Sequence, residues 1–193
     1  MKKKLLYASL FILILITTMS LFSRDKTPQV PYTVLRQDGN FELRQYGTVL
    51  YASVEKNGHM MDMGNTGFRE LAGYIFGGNQ ASQKIAMTAP VNFEKTTDTE
   101  TRMSFSMPEG FQLSSLPKPE SRGIQLHETQ PRKMAVLRFG GFASNNKIDE
   151  KAAELREWLR KENIRWKEPV IFMAYNSPWT LIGRRNEVGF EVE

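Results

Sequence analysis

The chain contains no cysteine and only two histidines, His59 and His127, among its 193 residues. Without cysteine, the protein cannot form a disulfide, a zinc–thiolate site or a thiol nucleophile. Two histidines are too few for a multi-histidine metal site. These absences exclude several common classes of metalloprotein and thiol-dependent enzyme.

The sequence also lacks the common motifs of hydrolases and nucleotide-binding enzymes. It contains no Gly-x-Ser-x-Gly and no Gly-x-x-x-x-Gly-Lys phosphate loop. Neither histidine has an obvious serine and acid beside it. The glycine doublets at 77–78 and 140–141 are typical of helix ends and turns. We therefore predict that the protein is not an enzyme.

A strong positive charge is missing from most of the chain, although the formal net charge is +5. Five of the 26 basic residues and one of the 21 acidic residues lie in residues 1–26, which leaves 21 basic and 20 acidic residues in the rest. A nearly neutral body lacks the basic surface that binds a phosphate backbone. We therefore expect no nucleic-acid partner.

A long apolar run occurs only at the N-terminus. Residues 5–22 carry no charge over 18 positions and follow three consecutive lysines, Lys2 to Lys4. This pattern is typical of a secretory signal peptide, and 18 residues are also enough to span a bilayer. Residues 1–26 are therefore a cleaved signal or a membrane anchor. Both alternatives predict an exported, periplasmic or otherwise extracytoplasmic body, with a linker at 27–31 and one folded domain at 32–193.

The folded part combines strand patterns with two amphipathic helices. Alternating or β-branched runs, such as 41–46 and 48–54, predict strands. Apolar residues at helical spacing predict a first helix containing Phe68 and Ile75, capped by Asn65 or Thr66 and stopped by a glycine pair. A second helix is predicted from about 147 to 162, capped by Asn146.

The order of these elements repeats along the chain. Residues 41–54 and 124–139 each contain an alternating strand, a turn and a second apolar strand, and each is followed by a helix and a Pro-Val-x-Phe segment, at 90–93 and 169–172. The predicted fold class is therefore α+β. Two β-β-α-β-β units related by a pseudo-twofold axis form a distorted antiparallel β-barrel or curved sheet, flanked by two helices. Because each half is small, we predict one domain rather than two.

The segment KIAMTAPV, residues 84–91, has two interpretations. Met87 could ligate a metal, or the segment could mark the place where a strand enters the sheet. The second Pro-Val-x-Phe segment favours the architectural interpretation, because proline is tolerated at the first residue of a strand.

Aromatic and thioether side chains are plentiful enough for an apolar binding site, although most of them belong in a core. Methionines fill irregular pockets around flat apolar ligands. In the methionine-rich loop at 59–64, His59 is a candidate axial ligand to iron, with an exposed loop histidine as the alternative. The adjacent Arg184 and Arg185 could pair with the carboxylates of a ligand, or lie as a surface pair in a turn.

Several segments together resemble the SOUL heme-binding protein family. They are KIAMTAPV, FGGFA at 139–143, and above all YNSPWTLIGRRNEVGFEVE at 175–193. The resemblance covers about residues 32–193. It implies a distorted β-barrel flanked by two helices, and reversible, non-catalytic binding of heme or a related tetrapyrrole.

The resemblance also implies a site in an apolar groove beside the first helix, near a loop between late strands. Carried onto this sequence, the candidate cofactor-binding residues are Met63, Phe68, Leu71, Tyr74 and Ile75 on the helix side and Trp179, Leu181 and Arg184 on the loop side. His59 remains the candidate ligand to the iron.

Two other hypotheses stay open. The first is an effector-sensing or scaffold module that binds another small apolar ligand or a protein, because the duplicated unit also resembles gyrase-inhibitor-like ligand domains. The second is an enzyme acting on tetrapyrroles, for which the chain offers little chemistry.

Overall fold

A computed structural model describes residues 27–97 and 99–193. The predicted signal or anchor at 5–22 lies outside the described residues. Within them, neither helix is long and apolar enough to cross a membrane.

The described residues form nine strands: β1 Tyr32–Asp38, β2 Phe41–Tyr46, β3 Val49–Asn57, β4 Val91–Lys95, β5 Glu100–Ser106, β6 Gln125–Thr129, β7 Arg132–Phe139, β8 Trp166–Ala174 and β9 Asn186–Val192. They make one antiparallel sheet in the order β1-β2-β7-β9-β8-β4-β5-β3-β6. Successive side chains of a strand point to opposite faces of the sheet, so both faces can bury apolar residues.

The sheet is open. In the part of the chain that the structure describes, β1 pairs only with β2 and β6 pairs only with β3, so the two edges do not meet. The α+β class with one antiparallel sheet is confirmed, and a closed barrel is wrong because no ladder joins β1 to β6. The internal duplication stays a prediction.

The two Pro-Val-x-Phe segments lie side by side at the centre of the sheet. Strand β4 begins directly after Pro90 and pairs with β8, so that Phe93 is opposite Phe172 with the ring centroids 5.6 Å apart. The architectural interpretation of KIAMTAPV is therefore confirmed. Pro169 differs from the prediction, because it lies inside β8, where the pairing with β9 shifts register.

Two helices, α1 (Gly64–Ile75) and α2 (Asn145–Lys161), pack on one face of the sheet. A short 3-10 helix follows β5 at Leu113–Ser115. The apolar stripes of α1 and α2 meet side chains such as Ala52, Phe105 and Leu137 in one core. Helix α1 contacts β3 and β5, and α2 contacts β7, β8 and β9.

The helix ends differ in part from the prediction. Helix α1 begins at Gly64 with no side-chain cap at Met63, so the predicted caps Asn65 and Thr66 are wrong. Helix α2 is capped by Ser144 rather than by Asn146. The Ser144 hydroxyl accepts a hydrogen bond from the Lys147 amide at 3.3 Å. The predicted glycine stop is confirmed, since Gly77 follows α1 with φ of 115°.

The face of the sheet opposite the helices carries a second, smaller core. Its members alternate along the strands with those of the first core, as Tyr51 and Val136 do. The segment before β1 crosses this face. Val30 is buried there, and Gln29 forms a parallel bridge with Ala89.

Candidate functional site

The helix side of the predicted site lies inside the core. Leu71 is 0% exposed and packs between α1 and the sheet, and the phenol of Tyr74 donates to the carbonyl of Pro117 at 3.0 Å. Phe68 is half-buried, with its ring edge-on to Phe105 at 5.2 Å. Met63 and Ile75 are buried as well. As ligand contacts these five residues stay predictions. A ligand would reach the four buried ones only if α1 moved away from the sheet, whereas Phe68 is partly accessible.

The loop side of the predicted site is exposed. The segment at 175–185 joins β8 to β9. Near its tip, Trp179 is 87% exposed, Leu181 75% and Ile182 67%. Large apolar side chains that face water in one short segment mark an interaction site more often than isolated exposed residues do.

Arg184 holds this loop in shape. Its Nη1 donates to the carbonyls of Pro178 and Thr180 at 3.1 and 3.0 Å, and Gly183 adopts φ of 72°, which favours glycine. The Arg184 Nε is buried and has no hydrogen-bond partner among the described residues. The loop therefore presents its apolar tip from an ordered base that keeps one guanidinium donor unused.

A second loop, between β7 and α2, completes the exposed surface. Phe142 is 59% exposed, and the Arg184 guanidinium lies over its ring at 4.6 Å. The side-chain amide of Asn186 donates to the carbonyl of Gly141 at 2.7 Å, which ties the two loops together. We call Phe142, Trp179, Leu181 and Ile182 the apolar end surface.

Sequence reasoning identified Trp179 and Leu181 but missed Phe142 and Ile182. Each of these two is a large apolar residue next to a glycine in a turn segment, and that signal could have found them. Neither loop contains an acidic residue, from 140 to 144 or from 175 to 185. Lys147 lies close by in the first turn of α2, and the exposed Asp149 and Glu150 follow it.

His59 lies on an exposed loop between β3 and α1. In the same loop, the backbone amide of Met61 donates to Asn145 Oδ1 at 3.2 Å, which brings the loop against the start of α2. In residues 27–97 and 99–193, no group of three or more acidic or histidine side chains could hold a metal ion. The role of His59 as a ligand to iron stays a prediction.

His127 lies on a different part of the sheet from these loops. It lies on β6 with its ring 5.7 Å from that of Tyr51. Burial lowers its pKa, and the charges of Arg102 and Arg132 lower it further. His127 is therefore neutral near pH 7.

Arg185, the second arginine of the predicted pair, is engaged inside the protein. The Glu187 carboxylate, 0% exposed, accepts from Arg185 Nε at 2.9 Å and from both terminal nitrogens of Arg44 at 2.7 and 2.9 Å. The Tyr175 phenol also donates to Glu187, at 2.9 Å. Sequence reasoning missed this network, because Arg44 and Glu187 are 143 positions apart.

The titration of the network follows from burial and pairing. Burial alone would raise the pKa of Glu187, but hydrogen bonds and charge from Arg44 and Arg185 outweigh it and lower the pKa. Burial raises the pKa of Tyr46 to about 12, despite the nearby Arg44 charge, and burial also raises the pKa of Tyr175. Glu187 is therefore ionised and both phenols are neutral at pH 7.

A separate cavity of about 450 Å³ opens beside the segment that precedes β1. Apolar side chains such as Val30, Leu50 and Phe111 line it together with Thr88. The Thr88 hydroxyl is buried and has no partner among the described residues. This cavity is a second place where a small apolar ligand would fit.

The fold and the exposed surface define a class of protein: an α+β domain on one open antiparallel sheet, with an apolar end built from two loops. The family model of SOUL heme-binding protein matches residues 27–191. The chain therefore belongs to the SOUL heme-binding protein family.

Individual relatives agree with this assignment. Heme-binding protein 2 of Mus musculus is 32% identical over 171 residues, which is 83% of this chain and 82% of the relative. Heme-binding protein 1 of Xenopus laevis is 28% identical over 157 residues, or 78% of this chain and 82% of the relative. A solved hydrolase from Listeria innocua superposes with a TM-score of 0.59 over 82% of this chain and 94% of its own, but at 9% identity it shows the fold alone.

Proposed function

We propose that this protein binds heme or a related tetrapyrrole reversibly and without catalysis, as an exported or membrane-tethered domain. The observation that carries the proposal is the apolar end surface, because flat apolar ligands need exposed apolar contacts and this surface belongs to a chain of the SOUL family. Its relatives are named heme-binding proteins.

The residues present fit the chemistry of such a ligand. Trp179, Leu181 and Phe142 offer apolar area for the porphyrin ring, which gains free energy when it leaves water. The Arg184 guanidinium, which lies over Phe142, and the Lys147 ammonium, which donates to the Gly140 carbonyl, are the cations beside this surface that could pair with propionates. Bound heme would supply its iron, and His59 is the side chain that would hold that iron. The apolar area, rather than iron ligation, would provide most of the affinity.

A hemin titration of the full chain tests the proposal. We expect a saturable shift of the Soret band, and we expect Phe142→Ala to weaken binding about tenfold, because burying an aromatic side chain at a binding surface is worth about 1.4 kcal/mol or more. Phe76→Ala is the matched control. Phe76 is also strongly exposed, but it lies at the C-terminal end of α1 and outside the apolar end surface. Equal affinity of both variants and the unaltered chain would exclude the apolar end surface as the site.

The role of His59 has its own test. If His59 ligates the iron, His59→Ala is expected to change the Soret position and the electron paramagnetic resonance spectrum of bound ferric heme. The control is His127→Gln, which removes the other histidine. Identical spectra for His59→Ala and the unaltered chain would show that apolar contacts and charge hold the ligand without this histidine.

The cavity at Thr88 favours a second candidate, the binding of another small apolar ligand. Its apolar walls are the supporting observation. Native mass spectrometry of the protein purified from membranes would distinguish the two, because a co-purified ligand other than a porphyrin supports the second candidate.

A further inference from the structure

The apolar end surface has an unusual density of large exposed side chains. Trp179, Leu181 and Ile182 lie within four positions of one loop. Hydrogen bonds from the Arg184 guanidinium to loop carbonyls fix the base of this loop. The Arg185 amide also donates there, to Asn176 Oδ1 at 2.6 Å. The three side chains therefore face water as a built feature of the loop, and such a surface indicates a partner.

The position of the N-terminus indicates which partner it is. Arg185, three residues after Ile182, donates from Nη1 to Gln29 Oε1 at 3.0 Å and from Nη2 to the Tyr32 phenol at 3.0 Å. The chain therefore enters the described structure beside the base of the exposed loop. Four residues separate the uncharged run at 5–22 from Thr27, and the five steps from residue 22 to Thr27 span at most about 18 Å.

We propose that the loop at 176–185 docks on a lipid bilayer, with Trp179, Leu181 and Ile182 entering its interfacial region while residues 5–22 lie in the same membrane. The short connection would hold the tip of the loop close to the bilayer that contains residues 5–22. This inference rests on the membrane-tethered setting proposed above but not on heme binding, since none of its contacts involves a ligand.

The composition of the surface suits a bilayer. Tryptophan is enriched at membrane–water interfaces, where its ring lies at the level of the headgroups. Leucine and isoleucine favour the acyl region below. The two loops carry no acidic residue that anionic headgroups would repel. Arg185 is bound to Glu187, so Arg184 and Lys147 are the basic residues of this end that remain for headgroups. Apolar insertion rather than charge should therefore supply most of the binding free energy. Added salt should then change docking little.

The absence of cysteine makes a direct test possible. Leu181→Cys in the full chain would carry one nitroxide label, and the protein would be reconstituted in phosphatidylcholine vesicles without heme. The control is Lys161→Cys, which is exposed at the last residue of α2. Since α2 begins beside the exposed surface and has 17 residues, its far end lies about 24 Å further along the helix axis.

Oxygen concentrates in lipid, whereas the nickel complex stays in water, so the ratio of collisions with oxygen to collisions with nickel reports insertion of a label. We expect this ratio to be several-fold higher for the label at position 181 than for the label at position 161. Adding Trp179→Ser and Ile182→Ser to the Leu181→Cys chain should return the ratio toward that of the control. All of these positions are exposed, so circular dichroism should show an unchanged fold.

Two results would overturn the inference. In the first, both labels are equally accessible to the aqueous nickel complex, which would leave the loop in water. In the second, the label at 181 is shielded from both reagents and broadened by a neighbouring label, which would identify a second copy of this chain, rather than lipid, as the partner.

Discussion

Replacing Glu187 with glutamine is expected to lower the free energy of unfolding by about 3–5 kcal/mol, the range typical of breaking a buried ion pair by removing one partner. The carboxylate is fully buried and receives hydrogen bonds from Arg44, Arg185 and Tyr175. Without its charge, the buried Arg44 guanidinium keeps only Glu42 as an ionic partner. Urea unfolding followed by tryptophan fluorescence would measure the change.

The matched control is Glu191→Gln, the same substitution four residues further along β9. Glu191 pairs with Lys167 at 2.7 Å, but it is about one-third exposed, and exposed pairs contribute about 1 kcal/mol or less. Comparable losses in the two variants would show that burial of Glu187 is not what makes its pair important.

The pH dependence of stability supplies a second readout for Glu187. Its pKa in the folded state lies below the ordinary value because Arg44 and Arg185 outweigh the effect of burial. Its contribution is therefore complete above the ordinary glutamate pKa and is lost as pH falls through the lower folded pKa. Acidification should destabilise the unaltered chain more than Glu187→Gln, so the difference between them should shrink toward low pH.

The local features of the fold were largely readable from the sequence. Alternation predicted strand 41–46, which is β2, and a helical stripe predicted α1, because both patterns reflect which side chains face a core. The caps were not readable. Ser144, Asn145 and Asn146 can all cap a helix, and the choice of Ser144 depends on how α2 lies against β7.

The sequence could not show which of the candidate site residues are exposed, and the apolar stripe of α1 shows why. A stripe shows that a helix buries one face, but it does not show what covers that face. The sheet covers Leu71 and Ile75, so the residues that look most like an apolar groove in the sequence are core. The exposed Trp179 loop carries a weaker pattern, and contacts between distant segments give that loop its shape.

The same limit explains Arg184 and Arg185. As neighbours in the sequence they formed one candidate pair for a ligand carboxylate. The structure separates their roles, because Arg185 belongs to the buried network of Glu187 whereas Arg184 lies under the exposed loop with an unused Nε. Only the long-range pairing of β9 with β7 and β8 decides which arginine faces inward.

A pair of substitutions separates the two halves of the predicted site. Leu71→Ala is expected to lower the free energy of unfolding by about 2–5 kcal/mol, because it leaves a cavity under α1, while the folded fraction keeps its hemin affinity. Trp179→Ala should change stability by less than about 0.5 kcal/mol, since the side chain is exposed, but should weaken hemin binding tenfold or more.

Both quantities come from one experiment, in which hemin is titrated at several urea concentrations so that folding and binding are fitted together. The opposite outcome, with affinity lost in Leu71→Ala and kept in Trp179→Ala, would place the ligand under α1. Because Leu71 has no exposed surface, that result would require α1 to open before heme binds, and the apparent affinity would then include the free energy of that opening.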